Sequence, residues 1–218
     1  MARLTQPPRS AFDDAEDLAA YDAVTEREVG LFKQFQHDEA LGAPNVGEYW
    51  GALLNSPRMT AIAAQMGTFV RTAGERGDSY AHWERELVDQ VLSADWKTNV
   101  VQGLHVPDAV SAGVRLEAIE AIRYGHEEDL TDDEALLVRY IRALVSGTVD
   151  DELFAAMKER MGPRGLIDYS AFIMWLSWIM RMMQALGTPS VSEAELDAVI
   201  AGLKDGSVEV PNFRERLG

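Results

Sequence analysis

The stretch IDYSAFIMWLSWIMRMMQAL, from Ile167 to Leu186, is the most apolar segment of the chain. Its few polar residues recur at helical spacing: Ser170, Ser177, Arg181 and Gln184. On a helix these residues form one narrow line, and apart from Asp168 the remaining surface is largely apolar and needs cover on nearly all sides. Charged residues at Asp168 and Arg181 make a membrane span costly. We therefore predict a buried helix, covered by the rest of the monomer or in part by a partner subunit.

Helical periodicity continues outward from this stretch, and the alternation typical of strands is nearly absent. Turn and capping residues divide the pattern into segments: Ser56-Pro57, Gly125, Thr131, Gly162-Pro163, Gly187 and Ser192. Pro107 is expected to end or kink the helix that contains it. The pattern predicts an all-α, single-domain protein of roughly eight to ten helices. We interpret residues 1–20 as an N-terminal arm, 21–190 as the helical domain and 191–218 as a final helix with an extended tail.

The composition excludes several classes of function. Asp and Glu total 36 against 20 Lys and Arg, which gives a formal charge of −16. Nucleic acids and anionic lipids require a basic surface, so we expect neither a nucleic-acid nor a membrane partner. There is no cysteine, which excludes disulfides, thiolate metal sites and CxxC redox chemistry. The beginning of the sequence has no apolar core of signal-peptide length, so we expect a cytoplasmic protein.

His105 is the most informative of the four histidines, because it lies in a mostly apolar run. Asp95, Asn99, Gln102 and His105 are spaced 4, 3 and 3 residues apart and would form a polar line on a helix. A histidine beside a carboxylate or amide can hold one tautomer and transfer protons near neutral pH. The alternative interpretation is a structural histidine, satisfied by Gln102 or by a backbone carbonyl.

Motifs of the common cofactor-dependent and hydrolytic enzymes are absent from the sequence. It contains no HExxH, GxSxG, P-loop or GxGxxG element. No set of residues has the spacing of a known metal-ligand motif. We therefore expect no cofactor and no metal.

Six short segments stand out by their order along the chain. They are YWGALLNSP from Tyr49, RELV from Arg85, HVPDAVSAGV from His105, EAIEAIRYG from Glu117, DDEALLVRYIRALV from Asp132 and ALGTP from Ala185. In these segments and their order the chain resembles the carboxymuconolactone decarboxylase family, over roughly residues 20–190. The resemblance implies a helical bundle of the carboxymuconolactone decarboxylase/alkylhydroperoxidase-like type, a small-molecule pocket, and self-association as a homotrimer or homohexamer.

The resemblance also implies a catalytic pair. The alkylhydroperoxidase branch uses a CxxC pair ahead of a histidine, assisted by a glutamate. The cysteine positions correspond to Thr98 and Val101, so the chain is not a thiol peroxidase. The histidine corresponds to His105 and the glutamate to Glu86, which would form a proton-transfer pair.

The implied substrate site departs from the decarboxylase-like pattern. Members of the family often have Tyr, Glu and Trp where this chain has Val100, Val101 and Gln102, so the pocket is less acidic and differently shaped. Arg85 or Arg181 can bind a substrate carboxylate through two hydrogen bonds. Either arginine can instead be a structural ion-pair partner, and that role fits Arg85 better. The remaining candidate substrate-binding residues are Gln102, Asn99 and Trp178.

The leading functional hypothesis is a cofactor-free enzyme that acts by proton transfer on a small carboxylated or lactone-type organic acid. Its reaction would be decarboxylase-like, and the enzyme would therefore be a carbon–carbon lyase. A hydrolase or isomerase of secondary metabolism on the same scaffold is one alternative, because a fold does not fix a function. A non-catalytic small-molecule-binding or assembly protein is another. The catalytic hypotheses require His105 and Glu86 to meet within hydrogen-bond distance, directly or through one water, in a pocket. If both residues point into solvent or into solid core, the binding-protein alternative gains.

Overall fold

The computed structural model describes residues 2–32, 34–72 and 79–210, apart from the side chains of Thr72, Val100, Gln102 and Leu104. Within these ranges the protein is all-α, as predicted, with nine α-helices and one pair of two-residue strands. The chain divides into two compact units. The first takes in the described residues up to Phe69 together with Arg181–Pro189, and the second takes in Val70–Met180 together with the described residues from Ser190.

The first unit contains helices α1 (Ala15–Leu31), α2 (Gly47–Leu53) and most of α3 (Pro57–Thr72), with strands β1 (His37–Asp38) and β2 (Ala43–Pro44). The strands are antiparallel, and His37 pairs with Pro44. The core of this unit is a group of buried apolar residues: Tyr21, Val24, Ala43, Val46, Leu54 and Ala64. Helix α1 begins inside the segment predicted to be an arm, because the Asp14 side chain accepts hydrogen bonds from the first backbone N–H groups.

The residues before α1 form hydrogen bonds and an ion pair with the rest of the first unit. Gln6 Nε2 donates to the Tyr21 hydroxyl at 2.7 Å and to the Pro44 carbonyl at 2.9 Å. The Tyr21 hydroxyl in turn donates to the Pro7 carbonyl at 2.9 Å. Arg9 forms a two-pronged ion pair with Asp22. These residues therefore contribute hydrogen bonds to the edge of the core.

The second unit contains the remaining helices. They are α4 (His82–Trp96), α5 (Asn99–Ala112), α6 (Leu116–Tyr124), α7 (Asp132–Ser146), α8 (Asp151–Leu186) and α9 (Glu193–Asp205). The part of α8 up to Met180 belongs to this unit. Helix α4 packs against α5, α6 and α7, and α5 also packs against α9. Helix α4 is therefore enclosed, and its ten consecutive residues from Glu84 to Ser93 are buried.

Local signals placed most helix ends correctly. Thr131 and Glu134 form a capping box at the start of α7, and Ser192 and Glu195 form another at the start of α9. Gly162 has a φ of 71° and divides α8 at the predicted Gly162-Pro163 break. Pro107 was expected to end or kink its helix; it does not end it, because α5 continues to Ala112, and the kink stays a prediction. Proline within a helix removes one backbone hydrogen bond, and the packing of α5 against two neighbouring helices outweighs that loss here.

The apolar stretch that begins at Ile167 is a core helix over most of its surface. Tyr169, Phe172 and Ile173 are fully buried. Both serine hydroxyls form hydrogen bonds. The Ser170 hydroxyl bonds to the hydroxyl of Tyr140 on α7, and the Ser177 hydroxyl donates to the Ile173 carbonyl of its own helix. Two apolar side chains seven residues apart stay uncovered within this chain: Ile167 is 67% exposed and Met174 is 48% exposed. None of the helices in the described ranges combines the length and apolar character needed to cross a membrane.

Candidate active site

Helices α4 and α5 bring Glu86 and His105 together. The carboxylate of Glu86 is 1% exposed, because α4 is surrounded by other helices. His105 Nδ1 lies 2.9 Å from Glu86 Oε2, a normal hydrogen-bond distance. The His105 side chain is one-fifth exposed, whereas the Glu86 side chain is 1% exposed. The structure thus places in direct contact the two residues that the family resemblance singled out.

The second oxygen of Glu86 is also held. Oε1 accepts from Arg85 Nη2 at 2.8 Å and lies 3.1 Å from His82 Nε2. Arg85 Nη1 donates to the backbone carbonyl of Arg71 at 3.0 Å, which fixes the guanidinium in turn. Arg85 therefore occupies the structural ion-pair position expected for it. The glutamate is oriented from both sides, an arrangement suited to holding a histidine ring in place.

Asp89 is a member of the site that the sequence analysis missed. It is fully buried one turn after Glu86 on α4, and its Oδ2 lies 3.9 Å from His105 Nδ1. Neither of its carboxylate oxygens has a hydrogen-bond partner among the described residues. A Glu-x-x-Asp spacing puts both acids on one helix face, and that signal could have indicated Asp89. Its burial depends on the neighbouring helices and was not visible in the sequence.

The buried charges shift one another's protonation equilibria. Burial would raise the pKa of Glu86, but the charge and hydrogen bond of His105 and its other donors hold that pKa well below the usual value. Burial would lower the pKa of His105, but the carboxylates of Asp89 and Glu86 raise it. Burial raises the pKa of Asp89, although nearby positive charges oppose the shift. The site therefore favours an ionised Glu86 beside a protonated imidazole.

Arg71, near the end of α3, was also missed. Its guanidinium carbon lies 5.5 Å from the Trp175 ring centroid and 5.9 Å from that of Phe172, distances typical of cation–π contacts. Its backbone carbonyl accepts from Arg85 Nη1 at 3.0 Å, and its positive charge lowers the pKa of Asp89 and of His105. Arg71 thus supplies a cation beside the pair, bordered by two aromatic rings.

The predicted substrate-binding residues are dispersed. Asn99 is buried, but its amide donates to Glu193 Oε1 at 2.8 Å and is thereby directed toward α9. It lines a polar crevice of about 190 Å³ together with Arg123 and other residues of α6 and α9. Trp178 is half-buried on α8. The side chain of Gln102 lies outside the described part of the structure.

Arg181 belongs to the first unit, whereas Glu86 and His105 belong to the second. Its side chain is exposed, and Nη1 donates to Gln184 Oε1 at 2.8 Å. Two of the polar residues predicted to share a helix face thus bond to each other. The Arg181 guanidinium is engaged locally, and Arg71 is the arginine whose charge reaches His105.

One group of side chains in the described ranges has the composition of a metal site. Ligand atoms of Glu86, Asp89 and His105 all lie within 4.8 Å of one another. Glu86 and Asp89 lie on α4, whereas His105 lies on the next helix, α5. Because the three residues are not close together in the sequence, they form no recognisable metal-binding motif there. Proximity in the fold, and not spacing in the chain, creates this group.

Comparisons with models of protein families, with curated proteins and with solved structures each found no match.

Proposed function

We propose that the protein is a decarboxylase-like enzyme in which His105 and Glu86 transfer a proton during the reaction of a small carboxylated or lactone-type organic acid. The observation that carries the proposal is the 2.9 Å contact between His105 Nδ1 and Glu86 Oε2, which joins a buried carboxylate to a histidine that is one-fifth exposed. An oriented acid–histidine pair of this kind contributes to catalysis by general acid–base chemistry.

The proposed reaction assigns separate tasks to the ring atoms of His105. Nδ1 is engaged by Glu86, so Nε2 is the atom that faces substrate. When the bond to the departing CO2 breaks, its electron pair remains on the substrate as an enolate, and Nε2–H delivers the proton to carbon. Glu86 stabilises the imidazolium before transfer and keeps the ring oriented afterwards. Atoms and charge balance, because the imidazole recovers a proton from solvent.

Arg71 is the proposed partner of the substrate carboxylate, in place of Arg181. A guanidinium binds carboxylates through two parallel hydrogen bonds. The flanking Phe172 and Trp175 rings add an apolar border suited to an unsaturated or cyclic acid. The carboxylate would thus be held close to the imidazole.

We further propose that the helices form a bundle of the carboxymuconolactone decarboxylase/alkylhydroperoxidase-like type and that the protein assembles as a homotrimer or homohexamer. The order of the six sequence segments supports the first proposal. The exposed Ile167 and Met174 on an otherwise buried helix support the second, because exposed apolar side chains at helical spacing favour burial against another chain.

A panel of carboxylated lactones, assayed for CO2 release and for solvent deuterium uptake into carbon, tests the activity. His105→Gln and Glu86→Gln should each lower the rate by about 10²–10⁴-fold. His126→Gln is the matched control, since that histidine is 62% exposed, and it should leave the rate unchanged. Deuterium uptake without CO2 would indicate an isomerase. Full activity of His105→Gln would exclude the proposed pair, and binding of the acids without turnover would support a binding protein.

A further inference from the structure

We propose that Glu86, Asp89 and His105 form a binding site for a divalent transition-metal ion such as Zn²⁺. This inference goes beyond the proposed function, because it concerns the protein without substrate. It starts from the mutual proximity of the three ligand atoms, all within 4.8 Å.

The distances fit two ligands of one ion. Metal–nitrogen and metal–oxygen bonds are about 2.1 Å long, so two ligand atoms are about 3 Å apart at a right angle and about 4.2 Å apart when opposite. His105 Nδ1 lies 2.9 Å from Glu86 Oε2 and 3.9 Å from Asp89 Oδ2. An ion between these atoms requires only small adjustments of the side chains.

Asp89 provides a separate indication of a ligand. Asp89 is fully buried, and within the described ranges neither of its carboxylate oxygens has a hydrogen-bond partner, an arrangement that is costly in a folded protein. His105 Nδ1 lies 3.9 Å from Asp89 Oδ2, and this distance is too long for a hydrogen bond. A cation bound at Oδ2 would satisfy the charge that the helices have buried.

The surroundings of Glu86 suit a metal ligand. Arg85 and His82 hold Oε1, which orients the carboxylate and leaves Oε2 for the ion. Such second-sphere hydrogen bonds are typical of metal-binding carboxylates. The two carboxylates offset the charge of a dication, and the imidazole nitrogen favours Zn²⁺ or Co²⁺ over Mg²⁺ and Ca²⁺.

An ion at this position replaces the proton on His105 Nδ1, because a metal-binding imidazole nitrogen must be unprotonated. The Nδ1–H···Oε2 hydrogen bond and the metal are therefore alternatives. In the metal-bound protein the two side chains are bridged by the ion and no longer share a proton.

Titration of the full-length, chelator-treated protein with Co²⁺, followed by visible absorption and calorimetry, tests the site. We expect one ion per chain, and a loss of affinity of about 10–100-fold in Asp89→Asn and in His105→Gln. His126→Gln and Glu128→Gln, both at exposed positions, should bind as the wild type does. Mg²⁺ in place of Co²⁺ should give no saturable binding.

A second measurement keeps the test decisive if a variant is unstable. Zn²⁺ should raise the Tm of the wild type and of His126→Gln, but not that of Asp89→Asn, with folding of each variant checked by circular dichroism. Absence of stoichiometric Co²⁺ binding, equal binding by Asp89→Asn, or a preference for Mg²⁺ would each overturn the proposal. Because no readout depends on turnover, failure here is distinct from failure of the proposed activity.

Discussion

His105 and Glu86 are nineteen residues apart in the chain, yet their side chains meet at 2.9 Å between Nδ1 and Oε2. The contact joins two neighbouring helices, α4 and α5, and its acidic partner is almost completely buried. Glu86 also pairs with Arg85, so the glutamate links a potential catalytic group to the internal structure of α4. Changes at Glu86 are therefore expected to affect both activity and folding.

Glu86→Gln should destabilise the protein by about 3–5 kcal/mol, because it leaves the buried Arg85 guanidinium without its carboxylate. Urea unfolding followed by circular dichroism measures the loss. Glu128→Gln, at an exposed position, provides the control and should change the free energy of unfolding very little. Equal stability of wild type and Glu86→Gln would show that the ion pair does not contribute to folding.

Asp89→Leu should raise the free energy of unfolding by about 1–3 kcal/mol when a chelator is present. The substitution removes a buried carboxylate that accepts no hydrogen bond from any residue the structure describes, and replaces it with an apolar side chain of similar size. Chemical denaturation of both proteins in the same buffer gives the difference. A destabilised Asp89→Leu would mean that the carboxylate makes a favourable contribution through His105, and the cost assigned to its burial would be wrong.

Glu134 should make stability dependent on pH in the acidic range. Burial would raise the pKa of this carboxyl, but its hydrogen bonds from Arg115 and Thr131 lower the pKa overall. A depressed pKa in the folded state stabilises the protein above the unfolded value of about 4.3, and that contribution is lost as the pH falls below it.

The wild type should therefore be more stable than Glu134→Gln by about 1 kcal/mol at pH 7, with a smaller difference at pH 4 and below. Urea unfolding at several pH values measures this difference. A gap that stays constant between pH 7 and pH 3 would contradict the assigned pKa shift.

Gly162→Ala should destabilise the protein by about 1–2 kcal/mol, because φ is 71° at this position and a Cβ disfavours that conformation. No atom of the described residues lies within 4 Å of the added carbon, so the expected cost comes from the backbone conformation. Gly30→Ala is a matched control inside α1 with equally open space, and it should stabilise by about 0.5–1 kcal/mol. Thermal unfolding distinguishes the two, and a Tm shift of the same sign in both would refute the argument.

Features set by local sequence could be predicted well. The hydroxyl groups of Thr131 and Ser192 cap helices through bonds to residues only three positions away, so their sequence context is sufficient. The same holds for the break at Gly162. Pro107 was harder, because whether a helix continues past proline depends on what packs around it.

Features set by packing could not be predicted in the same way. Asp89 resembles any acid on a solvated helix face until three helices enclose α4. Asn99 and Arg181 were predicted to bind substrate. In the structure Asn99 donates a hydrogen bond to Glu193, and Arg181 donates one to Gln184. The direction in which a long polar side chain turns is a property of its neighbours in space.

The hydrogen bonds of Tyr21 have a consequence for any shortened form of the protein. Its hydroxyl is met by Gln6 and by the carbonyl of Pro7, both supplied from ahead of α1. Removing the first ten residues would leave the buried Tyr21 hydroxyl without its hydrogen bonds to Gln6 and Pro7. The free energy of unfolding should fall by about 1–3 kcal/mol. The opening residues belong to the folded body and should be retained when the protein is produced.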